Sequence, residues 1–89
     1  MKVGEVYVYD SYYSTNMIKI REIYFDTFYK RSSIKFDELE SYFDNNKIYY
    51  VGIRSMGIEL LKDSIISFKR TSKKDWYKVL RKYNKLFLE

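Results

Sequence analysis

An 89-residue chain with a net charge of +5, 46% hydrophobic and 20% aromatic residues has enough apolar bulk to fold, but only around one small core. It contains no Cys and no His, which excludes disulfide frameworks, thiolate zinc sites and cysteine nucleophiles, and removes the commonest general base and metal ligand. The expectation is a single domain over 1–89 that binds rather than catalyses: not an enzyme, with no cofactor, no metal and no small-molecule substrate.

The residues that suit a half-buried pleated surface (Val, Ile, Thr, Tyr, Phe, Trp) supply 35 of the 89 positions, so most of the chain should be sheet. Val3 to Tyr9 alternates, with Val6 and Val8 on one face and Tyr7 and Tyr9 on the other, the period-2 signature of a strand. Asp10, Ser11, Ser14, Thr15 and Asn16 predict a loop that carries Tyr12 and Tyr13. Met17 to Tyr24 alternates again, and Asp26-Thr27 predicts a turn before Phe28-Tyr29 and a polar break at Lys30 to Ser33. Asp37 to Asp44 changes period: Leu39, Tyr42 and Phe43 at i, i+3 and i+4, with acidic residues first and Asn45-Asn46 last, predict a short helix. Ile48 to Arg54 has strand composition, and Gly52 within it marks a bulge or a close backbone approach. Ser55 to Gly57 is the next turn. Ile58 to Arg70 fits a helix by the spacing of Ile58, Leu61, Ile65 and Phe68, and two short strands by its β-branched content; strands are favoured.

The C-terminal segment is the clearest element. Ser72-Lys73-Lys74-Asp75 matches a capping box. On a helical wheel Trp76, Val79, Leu80, Tyr83, Leu86 and Phe87 share an arc of about 120°, the width of a core-facing stripe, while Lys74, Lys78, Arg81, Lys82 and Lys85 lie opposite. The expected organisation is therefore strands over 1–70 and an amphipathic helix over 72–88. Charge follows the same division. Met1 to Phe68 holds nine basic and ten acidic residues, whereas Lys69 to Glu89 holds eight basic and two acidic, so the whole excess sits at the C-terminal end.

Five or six short strands with a helix to cover one mouth suggest a mainly β fold, a small half-closed or closed barrel. The runs VGEVYVYD, MIKIREIY, YYVGIR and DSIISFKR, over residues 3 to 70, resemble small SH3-like barrel proteins common in phages and mobile elements of low-GC bacteria. The resemblance implies a barrel and a binding role and carries over no catalytic residue. The absence of Ala, Pro, His, Gln and Cys beside abundant Lys, Ile, Tyr and Phe fits an AT-rich coding sequence of the same kind of source. The alternative architecture is an open antiparallel sheet packed by two helices.

The basic residues Lys69, Arg70, Lys73, Lys74, Lys78, Arg81, Lys82 and Lys85 form the best candidate site. Lys73 and Lys74 fall in the first helical turn, where the helix dipole disfavours cations by a few tenths of a kcal/mol, so a reason outside the fold is plausible. Phosphates supply one, because each one neutralised releases counterions; an acidic protein surface supplies another. The bland counterpart is a solvated face that keeps a small protein dispersed. Tyr12 and Tyr13 are candidate contact anchors in a loop. Tyr7 and Tyr9 with Arg21 or Arg54 could stack unpaired bases, although cross-strand pairing and core filling are the favoured account of the tyrosines. The pairs Glu38 with Glu40 and Asp37 with Asp44 are expected on a solvated helix.

The N-terminus has no secretory pattern and no apolar run approaches the length of a membrane span, so the expected setting is cytoplasmic, without a membrane partner. The sequence thus points to nucleic acid contacted through the basic helix. A protein-directed inhibitor or adaptor of a host nucleic-acid enzyme or defence complex is the alternative, and a homodimer is possible through an exposed strand edge.

Overall fold

The structure, a computed structural model, describes residues 1–58 and 69–88, with side chains described as far as residue 84. Five strands, β1 (Val6–Asp10), β2 (Ser14–Asp26), β3 (Arg31–Tyr42), β4 (Ile48–Gly57) and β5 (Lys69–Thr71), precede one helix, α1 (Lys73–Leu88). All pairings are antiparallel, in the order β4-β3-β2-β1-β5. The protein is mainly β with a C-terminal helix, as composition and periodicity indicate.

The sheet is open. β4 and β5 are its two edges, separated by three strands, so the described residues do not close into the expected SH3-like barrel. Closure needs staggered, strongly tilted strands. Here β2 and β3, 13 and 12 residues long, form one extended ribbon and stretch the molecule to 43 Å along its longest axis. Of the strands favoured for Ile58 to Arg70, residues 59–68 lie outside the described residues; Ile58 is helical instead, and Lys69–Thr71 does form a strand.

Four further expectations are corrected, the first being the turn predicted at Ser55 to Gly57, which is the end of β4. The loop predicted over Asp10 to Asn16 shrinks to Ser11–Tyr13, because Thr15 and Asn16 already pair with Asp10 and Tyr9. The turn predicted at Asp26-Thr27 sits one residue later, at Thr27–Lys30: Asp26 Oδ1 accepts the N–H groups of Phe28 at 2.9 Å and Tyr29 at 3.1 Å, and Lys30 takes a left-handed φ of 52°. The helix predicted over Asp37 to Asp44 is the second half of β3. Its helical spacing is overridden because this segment lies between β2 and β4 and pairs with both, whereas a helix here would leave the facing edges of those two strands without partners.

Apolar residues pack on both faces of the sheet. On the helix face Val6, Leu39 and Trp76 form a buried cluster with Met17, Ile48, Val79, Leu80 and Tyr83 packed against it. On the far face Ile18, Ile20, Ile34 and Phe36 are buried, with Met1, Tyr7, Tyr9, Met56 and Ile58 around them. The alternation of β1 and β2 accounts for this directly: Tyr7 opposes Ile18 on one face, and Val8 opposes Met17 on the other. Gly52 does mark a bulge. Glu38 opposes Gly52 and Leu39 opposes Tyr50, leaving Val51 as the extra residue beside a glycine at φ 111°.

Candidate nucleic-acid interface

α1 is set on the sheet by its cap and its apolar stripe. Ser72 caps it: its Oγ accepts the N–H of Asp75 at 3.3 Å. The Asp75 carboxylate in turn accepts the Thr71 hydroxyl, which holds its carboxyl below the usual carboxylate range, with help from Ser72 and the charge of Lys78 and against a smaller opposing effect of desolvation. Trp76 is buried against Val6 and Leu39, and Val79, Leu80 and Tyr83 continue the stripe across β2 and β4. The opposite side is therefore turned outward, and Lys73, Lys74, Lys78, Arg81 and Lys82 are all exposed. The backbone of Lys85 continues the same helical row. Among the described residues none of these five lysines and arginines lies within ion-pair distance of a carboxylate.

The other predicted residues distribute unevenly around this face. Lys69 opposes Val8, so it sits on the helix side of the sheet. Arg70 opposes Tyr7 on the far side and is bound to Glu5 at 3.0 Å, so the structure separates it from the helix cations. Lys19, which composition alone did not single out, joins the helix side: its ammonium donates to the Tyr77 hydroxyl at 3.1 Å and lies 5.0 Å from that ring's centre, drawing the phenol pKa down. Tyr12 and Tyr13 are 96% and 71% exposed in the β1–β2 loop. They stand at the opposite end of β1 from Thr71, roughly 15 Å from the start of α1 at about 3.3 Å per residue. They neighbour the β3–β4 loop instead, where the Phe43 N–H donates to the Tyr13 carbonyl at 3.0 Å.

Tyr7 and Tyr9 follow the favoured account, core filling, and form no stacking platform. Both are partly buried, and their hydroxyls are committed to Glu5 at 3.1 Å and Glu38 at 2.9 Å. Burial, then the charge and hydrogen bond of Glu38, push the Tyr9 phenol well above its ordinary pKa. Arg21 lies on the other face, paired with Asp37 at 3.3 Å.

The far face holds the least expected feature. Glu38, only 2% exposed, accepts hydrogen bonds from the Tyr9 hydroxyl, from Asn16 Nδ2 at 2.7 Å and from Arg54 at 3.2 Å. The same Asn16 amide reaches Glu40 at 3.2 Å, and its Oδ1 accepts the Ser14 hydroxyl at 2.6 Å. A carboxylate expected on a solvated helix is thus the hub of a buried network. The usable signal is periodic: Ile34, Phe36, Glu38 and Glu40 share one phase of β3, so an acid falls on the apolar phase, legible only once the segment is known to be a strand. With Tyr9, Asn16 and Arg54 donating, Glu38 ties four strands together.

Among the described residues no group of three or more His, Cys, Asp or Glu side chains is placed to hold a metal, and no helix is long and apolar enough to cross a membrane. An open pocket of about 190 Å³ is lined by Tyr42, Asn45 and Tyr49, the two rings meeting edge to face at 5.3 Å. Large apolar side chains also stand exposed at the β2–β3 hairpin, where Phe28 is 84% exposed beside Phe25 and Tyr29. These features define a small open-sheet protein backed by one basic amphipathic helix. No protein-family model, curated protein or solved structure matches the chain.

Proposed function

We propose that the protein is a non-catalytic binding module, of the kind carried by phages or mobile elements, that contacts the phosphate backbone of nucleic acid through the outer face of α1. The observation that supports this reading is the set of exposed cations Lys73, Lys74, Lys78, Arg81 and Lys82, none within ion-pair distance of a carboxylate among the described residues although carboxylates elsewhere on the chain are paired with other cations. Lys74, Lys78 and Arg81, at spacings of four and three, form a continuous ridge, and Lys19 and Lys69 flank it on the same side of the sheet. Such a row neutralises successive phosphates and draws most of its affinity from counterion release. Arg70 has no part in the contact.

Fluorescence anisotropy with single- and double-stranded oligonucleotides tests the reading. Binding is expected at about 50 mM salt, falling steeply by about 200 mM, and reversing Lys74, Lys78 and Arg81 to Glu should lower affinity at least about tenfold and flatten the salt dependence. Absence of binding at the lower salt, or binding that the triple variant leaves intact, refutes it.

A protein partner is the second reading, favoured by the exposed Phe25, Phe28 and Tyr29 at the β2–β3 hairpin, since aromatic side chains anchor protein interfaces. A pull-down with nuclease treatment distinguishes the two. A partner that survives nuclease and is lost on Phe28→Ser supports the inhibitor or adaptor role; one that disappears with nuclease supports nucleic acid.

A further inference from the structure

The two edges of the sheet are built unequally. β5 is three residues long and offers Lys69 and Arg70, a short charged edge of the kind that resists strand addition. β4 is ten residues long, contains no Pro, and no strand pairs with its outer side among the described residues. Its single charge, Arg54, is already engaged by Glu38 at 3.2 Å. Tyr49, Tyr50, Val51 and Ile53 are all exposed along it. We propose that β4 is a self-docking edge, pairing antiparallel with β4 of a second copy of this chain about a two-fold axis between Val51 and Gly52.

The bulge makes this register possible. In an uninterrupted strand, positions 50 and 53 point to opposite faces and cannot meet across a two-fold ladder. The extra residue at Val51 restores them to one face. Tyr50 and Ile53 oppose Leu39 and Asp37 on the helix side, while Tyr49 and Arg54 oppose Glu40 and Phe36 on the far side. Pairing about Val51 and Gly52 then sets Tyr50 against the partner's Ile53, an aromatic on a β-branched side chain, which is a favourable cross-strand pair. It sets Tyr49 against the partner's Arg54, whose half-exposed guanidinium still offers a cation to the ring. Val51 meets the partner's Gly52, where a side chain would have no atom within 4 Å and space is open. This register therefore covers Tyr50 and Ile53 with each other and sets Tyr49 and Val51 against the partner's Arg54 and Gly52. No like charges face each other across it, so a second copy of this chain is the occupant it fits. The axis runs perpendicular to the sheet, so both copies carry α1 on the same side, an arrangement independent of what those helices bind.

Analytical ultracentrifugation of the full chain from about 1 µM to about 500 µM should show a monomer–dimer equilibrium. Ile53→Lys should weaken it at least tenfold, while Phe28→Lys, at the hairpin, should leave it unchanged, with circular dichroism showing both variants folded. Because the chain has no Cys, oxidising a mixture of Tyr50→Cys and Ile53→Cys chains should give a heterotypic disulfide in excess of either homotypic one. This second measurement stands if Ile53→Lys fails to fold. A monomer over the whole range, dissociation by Phe28→Lys but not Ile53→Lys, or homotypic cross-links exceeding the heterotypic one would each overturn the proposal.

Discussion

Glu38 shows how a residue's role is decided by its neighbours. Taken as a carboxylate among carboxylates it belongs to solvent, yet as position 38 of β3 it lies between Asn16 and Arg54 and beneath Tyr9. Burying a charge is unfavourable unless donors replace water, and three do so here. Removing it takes the shortest acceptor from the buried Asn16 amide, which keeps Glu40, and the acceptor from the Tyr9 hydroxyl. Glu38→Ala should therefore destabilise the fold by about 3 kcal/mol, the low end for a buried pair because Arg54 keeps half its surface in water. Urea denaturation followed by circular dichroism measures this; a loss comparable to that of an exposed Glu22→Ala control would show that the network contributes nothing.

At the scale of elements, α1 is specified twice, by its cap and by its stripe, which is why its limits are so nearly legible in the sequence. Trp76 joins the stripe to the sheet through Val6 and Leu39, and Trp76→Ala should cost about 3 to 5 kcal/mol in urea denaturation. Loss of ellipticity from α1 well before loss of the β signal would show that the helix detaches separately. The cap carries a pH signature. The folded pKa of Asp75 lies below its ordinary 3.8, chiefly through the Thr71 hydroxyl, so its contribution is complete above that value and is lost as pH falls through the lower folded one. Thermal melts at pH 6 and pH 3 should show a drop that is smaller in Asp75→Asn. An equal drop in both chains would remove Asp75 as its source. β3 illustrates the opposite case, a local helical spacing that two flanking strands overrule.

For the whole molecule, a chain this short compensates for a small core by using both sheet faces and by committing tyrosine hydroxyls to carboxylates. Tyr9 with Glu38, Tyr42 with Glu40 and Tyr50 with Asp37 all have phenols raised above their ordinary pKa of 10.0: by burial first in Tyr9, and by the hydrogen bond to the carboxylate first in the other two. The neutral phenol is thus favoured in the folded state. Its contribution is intact below pH 10 and is lost as pH rises through the higher folded values, so the protein should unfold in alkali. Tyr9→Phe should lessen the fall in melting temperature between pH 9 and pH 11.5, and an unchanged fall would exclude Tyr9 as its cause. Charge at this scale is less uniform than the sequence indicates, since Arg70 is neutralised across the sheet by Glu5 while the α1 cations are left outward.

The sequence by itself determined the β-rich class, the first strand and the two-faced terminal helix, because each of these is written in neighbours a few residues apart: alternation, and a cap three residues from its partner. Only the tertiary structure decided that the sheet stays open, that residues 37–42 are a strand, that Glu38 is buried and that Arg70 leaves the basic face. Each of those depends on which strand lies beside which, and register between segments tens of residues apart follows from the summed burial and backbone pairing of the whole sheet, which no local pattern encodes.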